Sequence, residues 1–172
     1  MLYRLHILIT LIIIASCSSK KQEQDNNSTV FDDKTSIKNF AEFTSLNEKA
    51  TSEIKNWKEY HELKEFVNEF KSISTTEALN NALELKRLTQ QLKDSSEIDI
   101  MKVPAFKARV NVFENEVLRL ADMTYIPSIS STEISKQIEK TLSLFGSINS
   151  KLNNIYLKKQ FDSEINLDSL FK

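Results

Sequence analysis

Glycine is almost missing from this chain. Of its 172 residues one is glycine, Gly146, and two are proline, Pro104 and Pro127. Tight β-hairpins and glycine-rich phosphate loops need glycine at backbone angles that other residues avoid. Hairpins of that kind, a dinucleotide-binding fingerprint and a Walker loop are therefore excluded. Cysteine occurs once, as Cys17, outside the part that should fold. The body of the chain can form no disulfide, holds no cysteine metal site and has no thiol nucleophile. An excess of either charge is also lacking, with 23 Lys and Arg against 24 Asp and Glu. A dedicated nucleic-acid binder would show a basic patch or a basic pI, so no nucleic-acid partner is expected. With no staple available the domain must be stable by core burial, for which this length suffices.

What is present favours helix: Leu, Lys, Glu, Ala and Gln are plentiful. The first apolar stripe runs from about Thr35 to Ile73. Ile37, Phe40, Leu46, Ala50, Ile54, Trp57, Tyr60, Leu63, Val67 and Phe70 recur at helical spacing with one larger step. Ser45-Leu-Asn-Glu48 fits a capping box, so the region is one helix or two with a break near Thr44. Ser74-Thr-Thr-Glu77 is a second capping box. It opens a helix from Thr75 to about Lys93 with Leu79, Ala82, Leu85, Leu88 and Leu92 inward. Residues 93–103 read as a loop. Pro104 suits a first helical turn, where its missing N–H costs nothing, and that helix should end near Thr124, before Pro127. Ser130-Ser-Thr-Glu133 is a third box. It opens a stripe of Ile134, Ile138, Leu142, Phe145, Ile148, Leu152 and Ile155, and residues 162–172 read as a short end. Four long amphipathic segments on short connections predict an all-α, antiparallel helical bundle over residues 34–172.

The N-terminus has a different plan. Met1 to Arg4 are positive, Leu5 to Ile14 are almost wholly apolar, and Ala15-Ser16 are small. That is the layout of a secretory signal over residues 1–16. The apolar run is about half the ~20 residues needed to span a bilayer. Ile14-Ala15-Ser16-Cys17 resembles the lipobox of bacterial lipoproteins. The resemblance implies cleavage before Cys17 and a diacylglyceryl thioether on it, with acyl chains of the palmitate class. Two such chains hold a protein stably on a membrane, at roughly 0.8 kcal/mol per buried methylene. The residue after the cysteine is Ser18, which by the same resemblance implies the outer membrane, on its periplasmic face or at the surface. Residues 17–33, from Cys17 through a polar stretch without periodicity, read as a lipidated flexible tether. The rest of the chain looks like the small helical lipoproteins of flavobacteria and their relatives, a likeness that carries no functional residue across.

Few residues point to chemistry. On the helix from Pro104, Arg109 and Glu116 lie between two apolar sectors. One sector holds Phe106, Val110, Phe113, Val117 and Leu120, the other Ala105, Val112 and Met123. Both charges should be partly buried and meet partners on neighbouring helices, as a structural polar network. Arg109→Ala is then expected to lower the melting temperature sharply. Asn111, Asn115 and Asp122 form the opposite, solvated face. His61 and Glu65 share a helix face, but His-Glu-x-x-Glu lacks the second histidine of the zinc-protease motif. No metal site follows from them, and Trp57 and Tyr60 beside them read as core. Ser143, Ser147, Ser150 and Asn154, next to Gly146, read as a polar face where close helix approach is possible.

No catalytic set emerges, and no cofactor or small-molecule substrate is implied. The expected function is a non-enzymatic, membrane-anchored envelope lipoprotein whose bundle binds or scaffolds another envelope component. A periplasmic helical chaperone or stress sensor is the alternative. An enzyme acting on lipid or peptidoglycan through a carboxylate pair is the third reading.

Overall fold

The computed structural model describes residues 32–95 and 99–165. The expected signal segment, Cys17 and its lipobox, the tether as far as residue 31, and the chain end after residue 165 lie outside them.

The domain is an all-α helical bundle. Its helices are α1 (Glu48–Glu53), α2 (Lys58–Glu69), α3 (Thr75–Asp94), α4 (Pro104–Asp122) and α5 (Ser131–Glu164). Short 3₁₀ turns at Asp99–Lys102 and Met123–Tyr125 flank α4. The 34 residues of α5 make a rod about 51 Å long. α4 packs on α5 and α3, α2 packs on α3, and α1 packs on α5.

The stripe from Thr35 to Ile73 is not one helix, nor two that meet at Thr44. It contains β1 (Ile37–Asn39), an extended run to Asn47, α1 and α2, and leads into β2 (Ser72–Ser74). β1 and β2 pair antiparallel, with Ile37 opposite Ser74 and Asn39 opposite Ser72. The reason lies in the residues between the apolar ones. Asp33, Thr35, Ser36, Asn39, Thr44, Ser45 and Asn47 carry short polar side chains that compete with helical hydrogen bonding. Asp33 shows it directly, its carboxylate accepting from the Thr35 and Ser36 amides at 2.9 and 3.2 Å. Ile37, expected inward, is 68 % exposed.

The helix starts follow their caps. Ser130 and Glu133 form the full reciprocal box that opens α5. Ser74 accepts from the Glu77 amide to open α3. α1 is capped by Asn47, whose side chain accepts from the Ala50 amide at 2.7 Å, and not by Ser45. Pro104 occupies the first turn of α4.

The core centres on Phe145 of α5. Phe43 meets it edge-on at 5.0 Å, Tyr60 of α2 stacks at 6.0 Å and Phe113 of α4 sits at 5.7 Å. Each such aromatic pair adds about 0.5–1.5 kcal/mol beyond its buried area. Trp57 and Tyr60 are fully buried, as core residues should be. Trp57 directs its indole N–H to Ser95 Oγ at 3.0 Å.

Candidate functional site

The segment from Asp32 to Asn47 runs along α5 as a strap. Asp32 accepts from the Ser131 amide at 2.8 Å, at the first turn of α5. The hydrogen bonds from Ser131 hold this carboxyl below the usual carboxylate range. Lys38 donates to Ser135 at 3.1 Å. Asn149 donates to the Thr44 carbonyl at 2.8 Å, and Asn153 to the Ser45 carbonyl at 3.0 Å. The bundle domain therefore includes Asp32, two residues before the expected boundary at 34.

Asn149 also accepts from the Tyr60 hydroxyl at 2.7 Å, so one buried amide ties α2, α5 and the strap together. Burial pushes the Tyr60 phenol well above its ordinary value. Such a hydroxyl stays neutral and donates.

Gly146 explains how the strap comes so close. A Cβ at this position would sit 3.1 Å from the Thr44 amide nitrogen and 3.2 Å from Phe43 Cβ. The lone glycine marks a backbone crossing on the face of α5 where sequence reading allowed a close approach, with an extended chain in place of a helix.

Beside this crossing lies a groove of about 460 Å³. The strap residues Ala41 to Thr44 form one wall, and α5 forms the floor from Glu139 to Asn154. Ser143, Ser147 and Ser150 line it, with Arg109 of α4 on the far side. The serine side of α5 is thus a groove floor as well as a polar face. Ser150 donates to the Gly146 carbonyl at 2.9 Å. Arg109 continues into a shallower depression formed with Ala108, Val112, Leu144 and Ser147.

Arg109 and Glu116 part company. Glu116 behaves as expected of a partly buried charge with partners across the helix interface. Its side chain is 13 % exposed and meets Lys140 of α5 at 2.8 Å. Gln137 of α5 donates to both its carboxylate, at 3.0 Å, and its backbone carbonyl, at 2.8 Å. Burial alone would raise this carboxyl. The hydrogen bonds from Lys140 and Gln137, with the charges of Lys140 and Arg119, outweigh it and hold the group below its ordinary value.

Arg109 corrects the sequence reading. It is half-buried, and its Nη1 donates at 2.8 Å to the Ala105 carbonyl of its own helix. Among the described residues it makes no salt bridge to any neighbouring helix. The physical reason is that α4 buries one stripe only, against α3 and α5. The second apolar sector is left open beside Arg109, where Ala105 is exposed and Val112 is 47 % exposed, while its far member Met123 packs against the core. A guanidinium at the edge of that sector faces the groove.

The remaining sequence candidates fall into place as structural residues. His61 Nε2 donates to the Ile54 carbonyl at 3.1 Å, across the turn between α1 and α2. Among the described residues no group of three or more His, Cys, Asp or Glu side chains gathers as metal ligands. Asn115 and Asp122 are exposed and Asn111 half-buried on α4. Among the described residues no helix is long and apolar enough to cross a membrane. Reading the chain alone missed Phe43 and the strap wall of the groove. The signals that mark them are the density of Ser, Thr, Asn and Asp between 32 and 47 and the single glycine opposite.

Comparison with protein-family models, curated proteins and solved structures finds no match for this chain.

Proposed function

We propose that this protein is a non-enzymatic, lipid-anchored envelope protein whose helical bundle binds or scaffolds another envelope component. The observation that carries the binding role is the groove between the strap and α5, with an unbridged arginine on its rim. An arginine held by its own helix and facing open space keeps most of its five N–H donors for a partner. The anchor rests on the lipobox-like Ile14-Ala15-Ser16-Cys17 and the polar stretch behind it. Acylation at Cys17 would bring the groove to partners within reach of the outer membrane. The fourteen residues from Ser18 to Phe31 span roughly 19 to 22 Å as a coil.

The test is in-cell crosslinking of tagged protein followed by mass spectrometry, with the native chain beside a secreted Cys17→Ser form. One abundant envelope partner, lost together with membrane fractionation in Cys17→Ser, is the expected result. A Cys17→Ser protein that stays in the membrane fraction with unchanged processing would remove the anchor. Many weak clients in place of one partner would replace the scaffold reading with a chaperone.

A further inference from the structure

We propose that the groove captures the free carboxyl end of an extended peptide whose last side chain is apolar. The inference rests on the binding role given above and names the ligand of that site.

The charges decide the class. Four charged side chains line the groove: Glu42, Arg109, Glu139 and Lys151. Glu42 is already paired with Lys71. Glu139, Arg109 and Lys151 form no salt bridge among the described residues. Arg109 shares a depression with Ser147, midway along the floor that runs from Glu139 to Asn154, and Lys151 follows Ser147 by one helical turn, about 6 Å along the axis. Glu139 precedes Ser147 by eight residues, about 12 Å. The site therefore offers Arg109 beside Ser147, a lysine one turn farther along α5, and a carboxylate two turns away in the other direction. An acidic run would be repelled at Glu139. A single terminal carboxylate satisfies both ends, bound by the forked guanidinium with the rest of its chain running toward Glu139. That distance is about four extended residues.

The apolar part of the ligand follows from the shelf beside Arg109. Ala108, Val112 and Leu144 surround a depression that shares Arg109 and Ser147 with the groove. A cation at the junction of a polar channel and an apolar shelf matches the last residue of a peptide, which carries its carboxylate and its side chain on one carbon. The hydroxyls of Ser143 and Ser147 lie along the channel where peptide amides would pass. Capture of a terminal carboxylate beside a pocket for its side chain is a recurring recognition mode.

The test uses the purified full chain in detergent and a pool of fluorescent hexapeptides of randomised sequence, made once with free carboxyl ends and once as C-terminal amides. The expected result is retention of free-acid peptides ending in an apolar residue. Amidation of a retained peptide should weaken binding at least tenfold. Arg109→Ala should lose binding to the same extent with an unchanged melting temperature, and Arg109→Lys should keep part of it. Val112→Asp should weaken binding while leaving Arg109 in place. Equal binding of acid and amide, unaltered binding by Arg109→Ala, or retention of no peptide would each overturn the proposal. If crosslinking to an envelope partner is lost in Arg109→Ala while no free-acid peptide is retained, the ligand named here is wrong and the docking role stands.

Discussion

Glu116 and Arg109 sit two turns apart on one helix and do different work. Glu116 is bound by two side chains of α5, one of them Gln137, which is itself only 5 % exposed. Replacing the carboxylate weakens a charged hydrogen bond from buried Gln137 and an ion pair to the half-exposed Lys140. Charged hydrogen bonds of this kind contribute about 1.5–3 kcal/mol. Glu116→Gln is expected to destabilise by about 1–2 kcal/mol near neutral pH, measured by urea unfolding. The carboxyl is held below its ordinary value in the folded state. Its charge therefore adds stability above the unfolded pKa and loses it as pH falls through the folded one. The gap between wild type and Glu116→Gln should narrow as the pH falls below the ordinary carboxylate range and through the lowered folded-state pKa. A gap that does not change with pH would show that the loss is one of packing. Both residues stand out on a helical wheel, since each interrupts an apolar surface. The wheel has no means of distinguishing a flank covered by α5 from one left open, so it placed a network where there is one buried carboxylate and one groove arginine.

At the scale of elements, the strap and α5 are fitted to each other at Gly146. Glycine inside a helix costs about 1 kcal/mol relative to alanine, and here that cost leaves room for Phe43 and Thr44. The Thr44 carbonyl is held by Asn149, and Phe43 is locked against Phe145. Neither can retreat without breaking another contact. Gly146→Val is expected to destabilise by about 2–3 kcal/mol through overpacking, measured by the shift in urea midpoint. A stability equal to or above wild type would mean that the strap moves freely at the crossing. Helix caps were the most legible local feature. Ser130 and Ser74 cap as their sequences imply, because a serine oxygen needs only the amide three residues on. Ser45 does not, since Asn47 stands nearer the start of the apolar turn and takes the Ala50 amide.

For the whole molecule, the strap decides whether the chain folds as one unit or as a bundle with a loose arm. Phe43 is buried at the aromatic centre shared by α2, α4 and α5. Loss of a buried phenylalanine side chain costs about 3–5 kcal/mol. Phe43→Ala is expected to destabilise the entire bundle by about 3 kcal/mol. Far-ultraviolet and near-ultraviolet circular dichroism should still report one coincident transition. A helical transition left in place while the aromatic signal melts early would show that the strap unfolds by itself. If Cys17 carries the anchor, the strap is also where the tether joins the bundle. A pull from the membrane would then reach α5 through Asp32, and α3 through the strand pair, before it reaches the groove.

Helix-forming composition, the almost complete lack of glycine and the 3.6-residue stripes from Thr75 onward were enough to specify an all-α bundle. Each of those signals is local: an amphipathic helix carries its inward face in its own residues, and α3 and α4 lie where their stripes begin and end, while α5 starts at its cap and runs on past Ile155 to Glu164. The strap was hidden because its apolar residues, Ile37, Phe40, Phe43 and Leu46, are spaced by threes as on a helix, although the chain there is not helical. Their places come from what they touch, a β2 partner for one and the Phe145 ring for another. The groove was hidden for a related reason. Gly146, the serines of α5 and Arg109 were each visible in the chain, but they lie as far as 41 residues apart in sequence, from Arg109 to Ser150. A shared cavity is a property of surfaces brought together, and only the packing of α4 and the strap against α5 brings these residues to one side.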